Sequence, residues 1–190
     1  WVSDDSAVVA SADGSPSHWS GFLVDITGRK ELEEQLHRQA VHDPLTGLPL
    51  RYGIESDFTL CQKDARRTRN RLYIVMIDAD HFKRINDRYG HPVGDVALRH
   101  LADILRATLR ASEPLYRFGG EEFLLLMQCK SDYAAEQTAR RIVTTVRTTP
   151  VQVPDATSLT LTVTLGLAEV GEEEELTSAV KRADAALYAG

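Results

Sequence analysis

The sequence predicts a mixed α/β domain, a layered sheet covered by helices, preceded by a β-hairpin and a short connecting helix. Three observations predict it. The run Leu72-Tyr73-Ile74-Val75-Met76-Ile77 is continuously apolar, the mark of a strand covered on both faces. Helical segments alternate with short apolar strands through the rest of the chain, which implies a layered sheet. Finally, 43% hydrophobic and 26% charged residues over 190 positions describe a globular chain rather than a disordered one. That length suits one ordinary domain with a modest extension.

In chain order, Ala7-Val8-Val9-Ala10 and Gly21-Phe22-Leu23-Val24-Asp25-Ile26 read as two strands. Ser11-Ala12-Asp13-Gly14-Ser15-Pro16-Ser17 between them is a turn signal, so residues 1–28 form a hairpin. Two strands alone are marginally stable, which makes this hairpin the remnant of a larger sheet. Residues 29–41 turn helical, with Leu32 and Leu36 four apart; a solvated connector and a short coiled coil fit equally well. Two prolines and a glycine in His42-Asp43-Pro44-Leu45-Thr46-Gly47-Leu48-Pro49 then break the helix. Beyond it the pattern predicts helix near 50–69, strand at 72–78, and helices near 81–89 and 93–110. Strands near 114–118 and 123–129 flank Gly119-Gly120. A helix near 132–148, a β-rich stretch at 159–169 and a helix from about 175 complete the chain.

The formal net charge of -6 argues against a nucleic-acid partner, because no excess of Lys and Arg exists to displace its counterions. It does not exclude a nucleotide, since a bound cation can supply positive charge locally. Cys61 and Cys129 lack metal-type spacing and read as reduced thiols. No apolar run approaches the roughly 20 residues of a membrane helix, and the chain, opening on Trp1 without a start methionine, reads as cut from something longer. Any membrane anchor is expected in missing regions.

Three groups of residues carry candidate chemistry. Asp78 ends the apolar strand, where a carboxylate either faces water as an ordinary strand end or needs a partner. Asp80, two residues on, is expected to cap the helix that begins with His81-Phe82-Lys83. Gly119-Gly120-Glu121-Glu122-Phe123 sets two glycines and two carboxylates at a hairpin tip, where the backbone can approach a ligand while acids reach a hard cation. Taken alone it is also an ordinary glycine turn with solvated acids. Lys83 suits phosphate, while Asn86 and Asp95, with His91 nearby, suit the N–H edge of guanine; individually each is an ordinary surface residue.

Together these residues resemble the GGDEF diguanylate cyclases. The resemblance runs through Asp78-Ala79-Asp80-His81-Phe82-Lys83-Arg84-Ile85-Asn86-Asp87, Tyr89-Gly90-His91, Gly94-Asp95 and Arg117-Phe118-Gly119-Gly120-Glu121-Glu122-Phe123. The entry motif at 42–49 and the closing segments Leu165-Gly166-Leu167-Ala168 and Lys181-Arg182-Ala183-Asp184-Ala185-Ala186-Leu187-Tyr188 extend it over residues 41–190. Asp25-Ile26-Thr27-Gly28-Arg29-Lys30 resembles the exit of a PAS sensor domain.

The family resemblance implies an adenylyl-cyclase-like palm with a mostly antiparallel five-strand sheet, and the joining of two GTP into cyclic di-GMP with release of two pyrophosphates. It implies Mg2+, with Mn2+ as the alternative, on Asp78, the Ala79 carbonyl and Glu121, and Glu122 as proton acceptor. Phe82, Lys83 and Gly120 would meet the GTP phosphates, and Asn86, His91 and Asp95 the base. It implies a homodimer for turnover and a cytoplasmic catalytic domain. Arg110 and Glu113 occupy the place of the inhibitory Arg-x-x-Asp, so the longer Glu113 is expected to weaken feedback by cyclic di-GMP. Leu50 stands where Asn is common, and the chain stops at Gly190 before an expected Lys and Arg that grip phosphate. A regulatory module that only binds GTP or cyclic di-GMP is the alternative, though such domains usually lack the signature acids that Glu121 and Glu122 retain.

Overall fold

A computed structural model describes residues 1–10, 16–31, 42–153 and 158–189. The turn at residues 11–15, the linker positions Leu32 and Leu36, and Gly190 lie outside the described residues. The chain divides into two compact units, Trp1–Val41 and His42–Gly190.

In the first unit, β1 (Val2–Ala10) pairs antiparallel with β2 (Pro16–Asp25), from Val2 opposite Asp25 to a register shift at Val9/Ala10. Residues 27–31 are helical, starting slightly earlier than the composition suggested. Phe22 and Leu23 stay exposed, as an isolated two-stranded sheet has nothing to bury them against.

The second unit is built on β3 (Arg71–Ala79), whose neighbours β5 (Glu122–Cys129) and β8 (Val163–Glu169) both run antiparallel to it. With β4 (Leu115–Gly119) outside β5, the order is β4-β5-β3-β8. The sheet therefore has four strands among the described residues, not the five expected. Beyond β4 only a single parallel bridge, Leu50 to Arg117, extends it, because the segment around Leu50 turns at once into a short 3-10 helix, Arg51–Gly53. The short strands β6 (Val151–Gln152) and β7 (Ser158–Leu159) pair only with each other.

Alternation along β3 explains both faces. Tyr73, Val75 and Ile77 point into one core with Phe123, Leu125 and Met127. Helices α2 (Phe82–Tyr89), α3 (His91–Thr108) and α4 (Asp132–Thr148) supply Phe82, Leu101 and Ile142 to it. Leu72, Ile74 and Met76 face the opposite core with Leu124 and Leu126, closed by α1 (Ile54–Thr68) and α5 (Leu176–Ala189). A strand of period 2 that is apolar on both faces requires this three-layer arrangement. Helix starts follow local chemistry: Pro92 sits in the first turn of α3, and the Ser131 hydroxyl accepts from the Ala134 amide at the head of α4. Among the described residues no helix is long and apolar enough to cross a membrane.

Gly166 shows how tightly the layers meet. A Cβ there would lie 2.0 Å from the Ala183 carbonyl oxygen and 2.5 Å from the Leu187 nitrogen, both backbone of α5. Backbone cannot swing aside as a side chain can. Gly166→Ala is therefore expected to destabilise the domain by about 2 kcal/mol or more. Urea denaturation checks this; an unchanged midpoint would show that α5 shifts freely.

Candidate active site at the end of the central strands

The apolar register that buries β3 also fixes where its polar end falls. Asp78 lies directly opposite Glu122 on one neighbour and Thr164 on the other, and the Ala79 amide reaches the Glu121 carbonyl at 3.4 Å. Burial pushes the Asp78 carboxyl up, and the charges of Glu121, Glu122 and Asp80 push it further, to about 6. Carboxylates held in mutual repulsion at the rim of a rigid sheet form a site that gains by taking up positive charge.

Asp80 is not the helix cap the sequence suggested. His81 occupies the N-cap position in a left-handed conformation (φ 56°), with no side-chain cap. The Asp80 carboxylate instead accepts the Thr164 hydroxyl at 2.7 Å, and its amide donates to the Thr162 carbonyl. Thr164 comes from β8, so a tertiary neighbour outcompetes the local cap. The consequence is a first turn of α2 whose N–H groups receive no side-chain cap, a geometry suited to anions.

Phe82 and Lys83 open that turn. The Phe82 ring is buried in the core, so only its backbone faces any ligand, while Lys83 is exposed. Asn86 is half-buried, and its side chain rests against Gly94 of the next helix, adjacent to the exposed Asp95; His91 is exposed at the start of α3. Arg110 and Glu113 sit elsewhere, at the far end of β4 from the hairpin tip. There the Glu113 carboxylate folds back to accept the Arg110 backbone amide at 2.8 Å, so the two form a closed turn rather than a side-chain ion pair.

The tip glycines do not serve a left-handed turn, since neither Gly119 nor Gly120 has positive φ. A Cβ on Gly120 would meet nothing within 4 Å. The bare backbone there leaves open space at the hairpin tip, which a ligand can fill.

Arg117 and Asp43 form an element of the site that sequence reasoning assigned no role. One Arg117 Nη nitrogen donates to both Asp43 oxygens at 2.8 Å, while Nε and the other Nη nitrogen donate to the Gly120 carbonyl at 3.1 and 2.7 Å. Asp43 also accepts the Thr46 amide and hydroxyl. Burial opposes its charge, yet these bonds and the guanidinium hold its carboxyl below the ordinary value. Arg106 of α3 donates to the Thr46 carbonyl at 2.8 Å and fixes the loop from behind. The entry loop at 42–49 thus clamps the acidic hairpin tip. An Asp-Pro turn and an Arg before Gly-Gly were visible in the sequence; their pairing across 74 positions was not.

The donor set fits a hard cation. Asp78, Glu121 and the Ala79 carbonyl offer oxygen only, and magnesium takes few protein carboxylates while sharing its shell with phosphates. Among the described residues no group of three or more His, Cys, Asp or Glu gathers to hold a metal.

Two outcomes follow from this geometry. Because the folded pKa of Asp78 lies above its unfolded value, its charge weakens the fold at neutral pH, and stability recovers as pH falls from about 6 toward 4. In chelator at pH 7, Asp78→Asn is expected to be more stable than wild type by about 1–2 kcal/mol, a figure discounted for partial exposure, with the difference vanishing near pH 4. Thermal melts at several pH values measure it; equal stability at pH 7 would show the repulsion is already relieved. Conversely, Arg117→Ala leaves Asp43 buried without its cation and should cost about 2–4 kcal/mol in urea denaturation. Arg117→Lys should recover only part, because an ammonium cannot span both partners.

Comparison with known proteins places the chain in a family. The family described as "Diguanylate cyclase, GGDEF domain" matches residues 40–190. Diguanylate cyclase DgcZ of Escherichia coli K12 is 37% identical over 148 residues, covering 78% of this chain and 49% of DgcZ. Diguanylate cyclase DgcP of Pseudomonas aeruginosa is 38% identical over 159 residues, 83% of this chain and 23% of DgcP. The chain therefore spans half or less of the length of these curated relatives. The crystal structure of the coiled coil and GGDEF domain of Caulobacter crescentus DgcB, in complex with c-di-GMP, superposes with a TM-score of 0.71 at 28% identity, covering 86% of this chain and 87% of that one. Sequence, sheet topology and the placement of the acidic hairpin beside the central strand concur: the chain belongs to the GGDEF diguanylate cyclase domain family.

Proposed function

We propose that the His42–Gly190 unit is a diguanylate cyclase that condenses two GTP into cyclic di-GMP and two pyrophosphates. The observation that carries this reading is the register that sets Asp78 opposite Glu122, with Glu121 against Ala79, beside the uncapped first turn of α2. Asp78, the Ala79 carbonyl and Glu121 would hold Mg2+, or Mn2+ on the same oxygens. When bound, the cation neutralises charge on the α-phosphate and the departing pyrophosphate.

The chain's own residues supply the rest. The backbone amides of Phe82 and Lys83, with the Lys83 ammonium, hold the phosphates. The bare backbone at Gly120 leaves them room. Asn86 and Asp95 read the N–H edge of guanine, with His91 beside them; adenine presents no N1–H to Asp95. In each half-reaction a 3'-hydroxyl oxygen bonds to the α-phosphorus of the other GTP, the bond to the β-phosphate oxygen breaks, and Glu122 accepts the hydroxyl proton. One domain binds one GTP, so two copies face each other for turnover. The first unit, whose strands leave Phe22 and Leu23 exposed, is the closing edge of a PAS sensor that sets how the copies face. The substrate pool puts the reaction in the cytoplasm, and any membrane attachment belongs to other parts of the protein. Feedback at Arg110 and Glu113 is weak, because Glu113 is engaged with the Arg110 amide.

Full-length protein incubated with GTP and Mg2+ tests the assignment by chromatography of the products. Wild type is expected to form cyclic di-GMP, and Asp78→Ala or Glu121→Ala to retain under roughly a few per cent of that rate with an unchanged circular dichroism spectrum. Binding of GTP or cyclic di-GMP by wild type without turnover would replace the enzyme with a regulatory binding module.

A further inference from the structure

Gly94 is the fourth residue of α3, inside a helix where glycine is among the poorest formers. Its backbone does not call for glycine, since it is absent from the positive-φ residues. What it touches does. A Cβ at Gly94 would lie 1.9 Å from Asn86 Oδ1, 3.0 Å from Asn86 Cγ and 3.2 Å from the Phe82 ring. The Asn86 amide thus abuts the Gly94 backbone with its oxygen foremost. Among the described residues it has no hydrogen-bond partner, and no buried polar side-chain atom is left unsatisfied, so the amide keeps its donors and acceptor open to a ligand.

We propose that Gly94 is a positioning residue for base selection: it is the floor that sets where the Asn86 amide stands, and through it the preference for guanine. This rests on the proposed role of Asn86 in reading guanine. The physical basis is that contact, not hydrogen bonding, orients the amide. A methyl group at Gly94 must drive Oδ1 from 1.9 Å out to an ordinary contact near 3.4 Å, a retreat of about 1.5 Å. Such a shift takes an amide out of the roughly 2.7–3.2 Å range of a hydrogen bond to a base held elsewhere by its phosphates. The atom displaced is the far end of a flexible side chain, and the Phe82 ring needs to give only a few tenths of an ångström. The fold therefore tolerates the change while the reading of the base does not.

The test is calorimetric binding of α,β-methylene GTP and its adenine counterpart, with Mg2+, to the full chain, alongside thermal melting. Wild type is expected to prefer guanine, Asn86→Ala to lose about tenfold or more of that preference, and Gly94→Ala to lose a similar factor with a nearly unchanged melting temperature. In the Asn86→Ala background Gly94→Ala should cause no further loss, because the two act through one group. A Gly94→Ala protein with wild-type selectivity overturns the proposal, as does an additive loss in the double variant. A Gly94→Ala protein that unfolds also overturns it, since the glycine then serves helix packing alone. If instead wild type binds both analogues equally, or Asn86→Ala keeps full preference, it is the guanine reading of the site that fails.

Discussion

The antiparallel pairing of β3 with β5 is the constraint on which the site depends. It places Ile77 opposite Phe123 and Asp78 opposite Glu122, so the last buried apolar pair and the first acidic pair are adjacent rungs of one ladder. A slip of one residue would send every apolar side chain of β3 to the wrong core, so the cores on both faces hold the register firmly. The acids inherit that precision. Their repulsion cannot push the strands apart, because each is anchored by several fully buried neighbours such as Ile74, Leu125 and Met127. Charge that weakens the fold is gathered at this strand end, and the adjoining apolar layers supply the stability that makes this tolerable.

A rigid strand end is not sufficient, because the hairpin tip projects beyond the ladder. Arg117 solves this by gripping the Gly120 carbonyl with one edge of its guanidinium while Asp43 holds another. Both side chains are largely sheltered from water, where a charge pair strengthens only if its remaining hydrogen-bonding capacity is filled. Thr46 fills it on the Asp43 side. The loop that breaks the linker helix is therefore part of the support of the acidic hairpin.

Most of the fold was legible because it rests on local signals. The helix read near 132–148 is α4, and the apolar run at 72–77 is the core of β3. The misreadings lie where a distant partner intervenes. Asp80 carries the sequence signature of an N-cap, yet Thr164, 84 positions away, captures its carboxylate, and His81 takes the cap position instead. Phe82 is a different case: its ring is buried in the core, and the expected phosphate contact is left to its backbone. Among the described residues the sheet has four strands rather than five, and beside β4 the chain at Leu50 makes one bridge before turning into a 3-10 helix.

The sequence by itself determined the alternation of strands and helices, the strand-end Asp78, the acidic Gly-Gly hairpin and the family to which they point. Each is written in hydrophobic period, turn chemistry or contiguous residues, which act over a few positions. Only the tertiary structure decided that Arg117 ties Asp43 to Gly120, that Asp80 serves Thr164 and that Gly94 presses against Asn86. Those contacts join segments brought together by sheet register and helix packing. No periodicity encodes which polar group will meet which once the layers close.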